Sequence, residues 1–97
     1  MISIRFLKTA QAELDEAVLY YNGESPGLGN EFLVESLNRL ESIVAYPRAW
    51  HLYTSETRRC QLHRFPYAIV YLYDDDEILV IAVAHMHREP DYWRDRL

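Results

Sequence analysis

The stretch FPYAIVYLYDDDEILVIAVAH, residues 65–85, decides the fold. It contains two runs rich in Val, Ile and Tyr, Tyr67 to Tyr73 and Ile78 to His85, separated only by the polar turn Asp74-Asp75-Asp76-Glu77. So short a connection joins antiparallel strands. Upstream, Arg58 to Arg64 reads as a third strand, broken from the second by Phe65-Pro66. Side chains alternate along a strand, so Ile69 and Tyr71 share one face of the middle strand, and Ala68, Val70 and Leu72 share the other. On the last strand the same alternation sets Leu79, Ile81 and Val83 against Ile78, Val80 and Ala82. Both faces of the sheet are apolar, so both are partly buried or used, and at least one needs helical cover.

The N-terminal half supplies it. Leu14, Ala17, Val18 and Tyr21 recur at helical spacing, with Glu13, Asp15 and Glu16 largely off the stripe, predicting a helix from about Ala10 to Asn22 capped by Thr9. Gly23, Pro26, Gly27 and Gly29 mark a turn. Phe32, Leu33, Leu37, Leu40, Ile43 and Val44 then predict a second helix from about Leu28 to Tyr46, stopped by Pro47. A short connection makes the two an antiparallel hairpin. Ahead of them, Ile2 to Phe6 alternates as a short strand, and Arg88 to Leu97 reads as a terminal turn or short helix starting near Pro90, pinned by Tyr92 and Trp93. The reading is a single α+β domain over residues 1–97: N-terminal strand, two-helix antiparallel hairpin, three-stranded antiparallel sheet, short C-terminal segment. One layer of helices covers one sheet face. The other face is expected to stay open, with Arg and His at its rim, and to carry function.

Composition bounds what that function can be. With 49% apolar residues and three glycines in 97 positions the chain is a folded domain, not a low-complexity segment. The lone Cys60 excludes an internal disulfide and a thiolate zinc cluster, and its alternation with Leu62 points it to the core. The N-terminus lacks a cationic and apolar leader, and no apolar run approaches the roughly 20 residues of a bilayer span. A cytoplasmic protein with no membrane partner is expected. The net charge of −5 is unevenly spread: residues 1–47 hold three basic and seven acidic side chains, residues 48–97 seven and eight. Four of those eight are Asp74 to Glu77, so the rest of the second half is +3 and also holds every histidine.

No phosphate-binding glycine loop, paired-histidine helix or nucleophile elbow is present. What remains is His51, His63, Arg64, His85, His87 and Arg88, with Arg58, Arg59, Arg94 and Arg96 near them in sequence. Such a set suits cleavage of RNA by in-line attack of a 2′-hydroxyl, with His as acid and base and Arg clamping phosphate. His85 and His87, on one face if the strand continues, fit better the more common role of hydrogen-bonding backbone or capping a turn at a strand end. As a metal pair they have only Glu89 and Asp91 near in sequence, and no third ligand is set by spacing. Tyr67, Tyr71 and Tyr73 fall in phase and could stack on bases, contact a partner or pack in the core.

The order strand, helix, helix, strand, strand, strand, together with Phe65-Pro66-Tyr67-Ala68-Ile69-Val70-Tyr71, Ile81-Ala82-Val83-Ala84-His85 and Arg88-Glu89-Pro90-Asp91-Tyr92-Trp93-Arg94, resembles the RelE/ParE superfamily of type II toxin–antitoxin toxins. The likeness is greatest to the ParE branch and to proteins called plasmid stabilisation proteins. It implies a small toxin without a cofactor, neutralised by a cognate antitoxin across Leu14, Val18, Tyr21, Tyr67 and Tyr71, and meeting operator DNA only through that antitoxin. ParE-type members poison DNA gyrase by protein contact, for which the implied surface is Arg88, Tyr92, Trp93 and Arg94. RelE-type members instead cut mRNA on the ribosome, for which His63, Arg64, His85 and Tyr92 would be the catalytic set. A single lysine, Lys8, and a net charge of −5 favour the ParE branch. A non-toxic binding module on the same fold is the third reading.

Overall fold

The computed structural model describes all 97 residues. Strand β1 spans Ser3–Phe6, helix α1 Lys8–Glu24, helix α2 Leu28–Ala45, β2 His51–Leu52, β3 Thr57–Gln61, β4 Tyr67–Asp74 and β5 Glu77–His85; a 3-10 turn at Arg94–Arg96 ends the chain. The five strands form one sheet in the order β1-β5-β4-β3-β2. The neighbours β5, β4, β3 and β2 pair antiparallel, and β1 runs parallel to β5, with Phe6 opposite Val80. A parallel pair needs a crossover, and here it runs through the helical hairpin to β2 at the far edge and back through β3 and β4.

The β4–β5 turn explains itself: its two central residues, Asp75 and Asp76, sit at φ 49° and 58°, the backbone of a tight hairpin whose twist matches the strands. Gly29 explains the helical hairpin. A Cβ there would lie 2.1 Å from the Val18 carbonyl oxygen, and its N–H donates to Asn22 Oδ1 at 2.7 Å, so α2 starts against α1 with no room for a side chain.

Both helices lie on one face of the sheet. Ala10, Leu14 and Ala17 from α1 and Phe32, Leu40 and Ile43 from α2 are buried against Cys60, Ile69, Tyr71, Ile78, Val80 and Val83. Tyr21, Phe32, Phe65 and Tyr67 form an aromatic cluster with centroid separations of 4.9 to 6.1 Å. Tyr71 anchors β4 to the end of α2 by donating to the Pro47 carbonyl at 2.7 Å.

Several expectations are corrected. Strand β3 ends at Gln61, leaving His63 and Arg64 in a loop, because the Phe65-Pro66 break acts earlier than alternation implied. The two-residue β2 is too short to leave a pattern. A bulge opposite Val70 and Tyr71, where Ala82 and Val80 are the partners, inserts Ile81 and reverses the phase of β5. Val83 therefore joins Ile78 and Val80 under the helices, while Ile81 joins Val70 and Ala82 on the far face. Thr9 is not the cap: α1 begins at Lys8, with Leu7 in extended backbone before it and no side-chain cap. Leu37, expected in the buried stripe of α2, is 49% exposed.

The far face is not open. Trp93 is 1% exposed and packs on Val70, Ile81 and Ala82, with Tyr53 at a centroid distance of 5.6 Å. The C-terminal segment thus closes the face that the helices leave.

Gly29→Ala is expected to destabilise the protein by about 2 kcal/mol or more in urea denaturation, because the new methyl meets backbone. Gly23→Ala, in α1 with nothing within 4 Å, is expected to raise stability by about 0.5 to 1 kcal/mol.

Candidate functional site

Beyond Phe6 the chain leaves the sheet for α1, with Leu7 N–H donating to the Val80 carbonyl at 3.0 Å, so the later part of β5 has no strand on that side. Glu13 and Arg96 take its place. The Val83 N–H donates to Glu13 Oε1 at 3.0 Å, and Arg96 Nη1 donates to the Ile81 carbonyl at 3.1 Å. Arg96 also grips Glu13 as a fork, Nη1 to Oε1 at 2.9 Å and Nη2 to Oε2 at 3.0 Å. The Tyr92 hydroxyl donates to Oε2 at 2.6 Å, and Arg88 Nη1 stands 3.6 Å from that oxygen. The Glu13 and Arg96 side chains are only 12% and 18% exposed. Burial, and then the hydrogen bond to Glu13, push the Tyr92 hydroxyl far above the usual tyrosine range, while that same carboxylate raises Arg96. Two guanidiniums lie over the Tyr92 ring, Arg88 at 3.8 Å and Arg96 at 5.1 Å from its centroid.

A concavity of about 250 Å³ opens beside this cluster, lined among others by Glu16, Tyr20, Tyr67, His85, Arg88 and Tyr92. His85 sits at the end of β5 with its ring 5.0 Å from Tyr67 and 5.1 Å from His87, and its Nδ1 accepts the His87 N–H at 3.0 Å. The two histidines therefore meet, but across a turn rather than along a strand.

His63 and Arg64 lie elsewhere. Both of their backbone amides donate to the Glu35 carboxylate on α2, and Arg64 Nη2 pairs with Glu31 at 2.8 Å. Neither lines the concavity that holds His85, Arg88 and Tyr92. Of the tail residues, Arg88 and Arg94 are 55% and 57% exposed, Arg94 pairing with Asp91 at 2.9 Å, whereas Trp93 is core. Of the residues read as an antitoxin surface, Val18, Tyr21 and Tyr67 are half-buried at the helix–sheet seam, and Leu14 and Tyr71 are interior. Trp93, Leu14 and Tyr71 lie in the interior of the free chain.

Glu13 and Arg96 are the residues whose part the sequence reading missed. The signal was present for Glu13, which is three residues after Ala10 and four before Ala17 and so lies on the buried stripe. A carboxylate there requires a cation, and spacing alone does not say which one.

Glu13→Gln is expected to cost about 3 kcal/mol, because it leaves Arg96 half-buried without its counter-charge, and to speed proteolysis of the tail. Alkali should act on the same cluster. Tyr92 and Tyr71 are raised in the folded protein, Tyr71 chiefly by burial, so the unfolded chain releases these protons first. Stability is then full below about pH 10, the unfolded tyrosine value, and falls as pH rises above it. Melting curves against pH should show Tyr92→Phe less stable at pH 8 but with a shallower alkaline decline.

The fold has counterparts. A chain of a chromosomal ParDE toxin–antitoxin system from P. aeruginosa superposes with a TM-score of 0.77 at 19% identity, covering 90% of this chain and 98% of that one. The isolated E. coli RelE toxin superposes with a TM-score of 0.69 at 20% identity, covering 99% of this chain and 96% of that one. At such identities these likenesses speak for the fold alone. No protein of curated function matches the sequence. The sequence family described as ParE toxin of type II toxin-antitoxin system, parDE, matches residues 4–90, from β1 to Pro90. By that match over most of its length, the chain belongs to the ParE toxin family of type II toxin–antitoxin systems.

Proposed function

We propose that this ParE-family chain is the toxin of an addiction or plasmid-stabilising module in the cytoplasm, acting on DNA gyrase by protein contact rather than by cutting RNA. The observation that carries this reading is the state of Tyr92. Its hydroxyl is committed to Glu13 at 2.6 Å and held far above the ordinary tyrosine range, so it is a poor proton donor or acceptor near neutral pH. His63 and Arg64 are bound to α2, away from His85, so the expected acid, base and phosphate clamp are dispersed. Of the contact residues the likeness implies, Arg88 and Arg94 are exposed, beside exposed Glu89 and Asp95, and are the two cations suited to an acidic protein surface.

The cognate antitoxin, through which alone the toxin would meet operator DNA, is assigned to the helical hairpin. Leu19, Tyr20, Val34 and Leu37 are 49 to 73% exposed there, apolar side chains that a docked antitoxin would cover. Half-buried Val18, Tyr21 and Tyr67 border it.

One observation favours the ribosome-dependent nuclease as second reading: His85, Arg88 and Tyr92 do share a concavity. The two separate in cells. On induction of the chain alone, failing DNA synthesis with continued protein synthesis, and inhibition of purified gyrase, support the gyrase reading; immediate loss of protein synthesis with cut mRNA overturns it. Arg88→Ala/Arg94→Ala should lower toxicity at least about tenfold while the chain stays folded, since Arg94 pairs at the surface and Glu13 keeps Arg96 when Arg88 is removed. His85→Ala should leave toxicity intact.

A further inference from the structure

The chain has five ion pairs, and they engage Arg5, Arg64, Arg88, Arg94 and Arg96. Arg39 and Arg59 have no carboxylate partner, although acids outnumber bases 15 to 10. Both line a hollow of about 570 Å³ between α2, β2 and β3, with His51 and His63 beside them and no Asp or Glu in its wall. Neighbouring groups do not offset this charge. Glu35 is taken by the His63 and Arg64 amides, and burial pushes the Cys60 thiol up, so it stays neutral beside Arg39. Two buried donors here, Arg39 Nε and Trp50 Nε1, also have no acceptor, whereas buried donors are nearly always paired.

The fold positions these cations in advance. Arg58 donates to the Arg48 and Trp50 carbonyls at 3.0 and 2.8 Å, which fixes the segment that carries Trp50 and His51. Arg39 reaches in from α2 and lies over Trp50, and Arg59 lies over Tyr53, each 4.7 Å from the ring centroid. Side chains alternate along β3, so Arg59 is on the opposite sheet face from buried Cys60, the face that Tyr53 shares with Trp93. The two guanidiniums therefore flank the β3 edge from its two sides.

We propose that this hollow binds the phosphate group of a small phosphate monoester, gripped by Arg39 on one side of the β3 edge and Arg59 on the other, with His51 and His63 at the rim. Guanidinium forks match phosphate oxygens, and charge-assisted bonds of that kind are the strong ones. A tetrahedral phosphate directs oxygens to both sides at once, whereas a planar carboxylate answers one fork. The hollow has the volume of a site for a whole small molecule, and Ala49 and Leu62 in its wall give the organic part apolar contact, so an ester fits better than inorganic phosphate. A nucleic-acid strand fits poorly, because the chain carries −5 overall and Glu31, Glu35 and Glu41 lie along the adjoining α2. Arg88 and Arg94 lie outside the hollow, so binding here is separate from the proposed action on gyrase.

The probes are glucose 6-phosphate and AMP, each titrated into the intact chain at constant ionic strength and followed by amide and indole NMR and by melting. Saturable binding of at least one is expected, with shifts at the Trp50 indole N–H and at the His51, Arg59 and His63 amides, and a rise in Tm of about 5 °C at about ten times Kd. Whichever binds more tightly identifies the organic part as sugar or nucleotide. Arg39→Gln and Arg59→Gln should each weaken binding about tenfold, and Lys8→Gln, which removes the same charge elsewhere, should not. Melting curves show which variants are folded, and should one arginine variant unfold, the other decides. The proposal is overturned by no saturable binding of either ester, by unchanged affinity in a folded arginine variant, or by shifts confined to another face. It is equally overturned if inorganic phosphate or citrate matches the esters, or if oligothymidylate binds the same residues more tightly.

Discussion

The interaction on which the rest depends is the fork between Glu13 on α1 and Arg96 in the last turn, residues 83 apart in sequence. The chain must leave the sheet after Phe6 to build its helices, and that exit strips β5 of a neighbour along its later half. Backbone groups there need partners because buried N–H and C=O groups without them are costly. Glu13 answers the Val83 N–H and Arg96 answers the Ile81 carbonyl, and each neutralises the other. A buried pair is a weak net stabiliser against apolar residues of equal volume. Here its value is positional, since it holds a loop-like tail against the sheet.

That placement has a packing consequence. Once Arg96 is seated, Trp93 lies over Val70, Ile81 and Ala82, and the sheet becomes a three-layer arrangement of helices, strands and tail. Cutting the chain after Pro90 would remove Trp93 and Arg96 together, exposing the far face and stranding Glu13. Loss of toxicity on such truncation would therefore mix contact with unfolding, and substitution of the exposed Arg88 and Arg94 separates the two. The P. aeruginosa ParDE chain and the E. coli RelE toxin share the fold, and fold alone does not say how a chain acts.

Charge follows the same logic. An overall excess of acid conceals one edge where Arg39 and Arg59 meet no carboxylate and stack instead on Trp50 and Tyr53. At the other sites the arginines are consumed by the fold: Arg64 ties the β3–β4 loop to α2 and Arg96 ties the tail to α1.

The sequence by itself determined the order of the longer elements, the two helices, the β4–β5 hairpin and the family, because each is written in local signals: helical spacing, alternation of Val, Ile and Tyr, and a polar turn. It also placed Cys60 in the core and marked Pro47 as the helix stop. Only the tertiary structure decided what pairs with what. The parallel β1–β5 pairing, the Ile81 bulge that moves Val83 to the other face, and the closure of the far face by Trp93 depend on contacts between distant segments. Likewise Glu13 read as a solvated helix residue until Arg96, Arg88 and Tyr92 were brought to it. A charge is buried only when its partner is present, and periodicity carries no record of a partner at the far end of the chain.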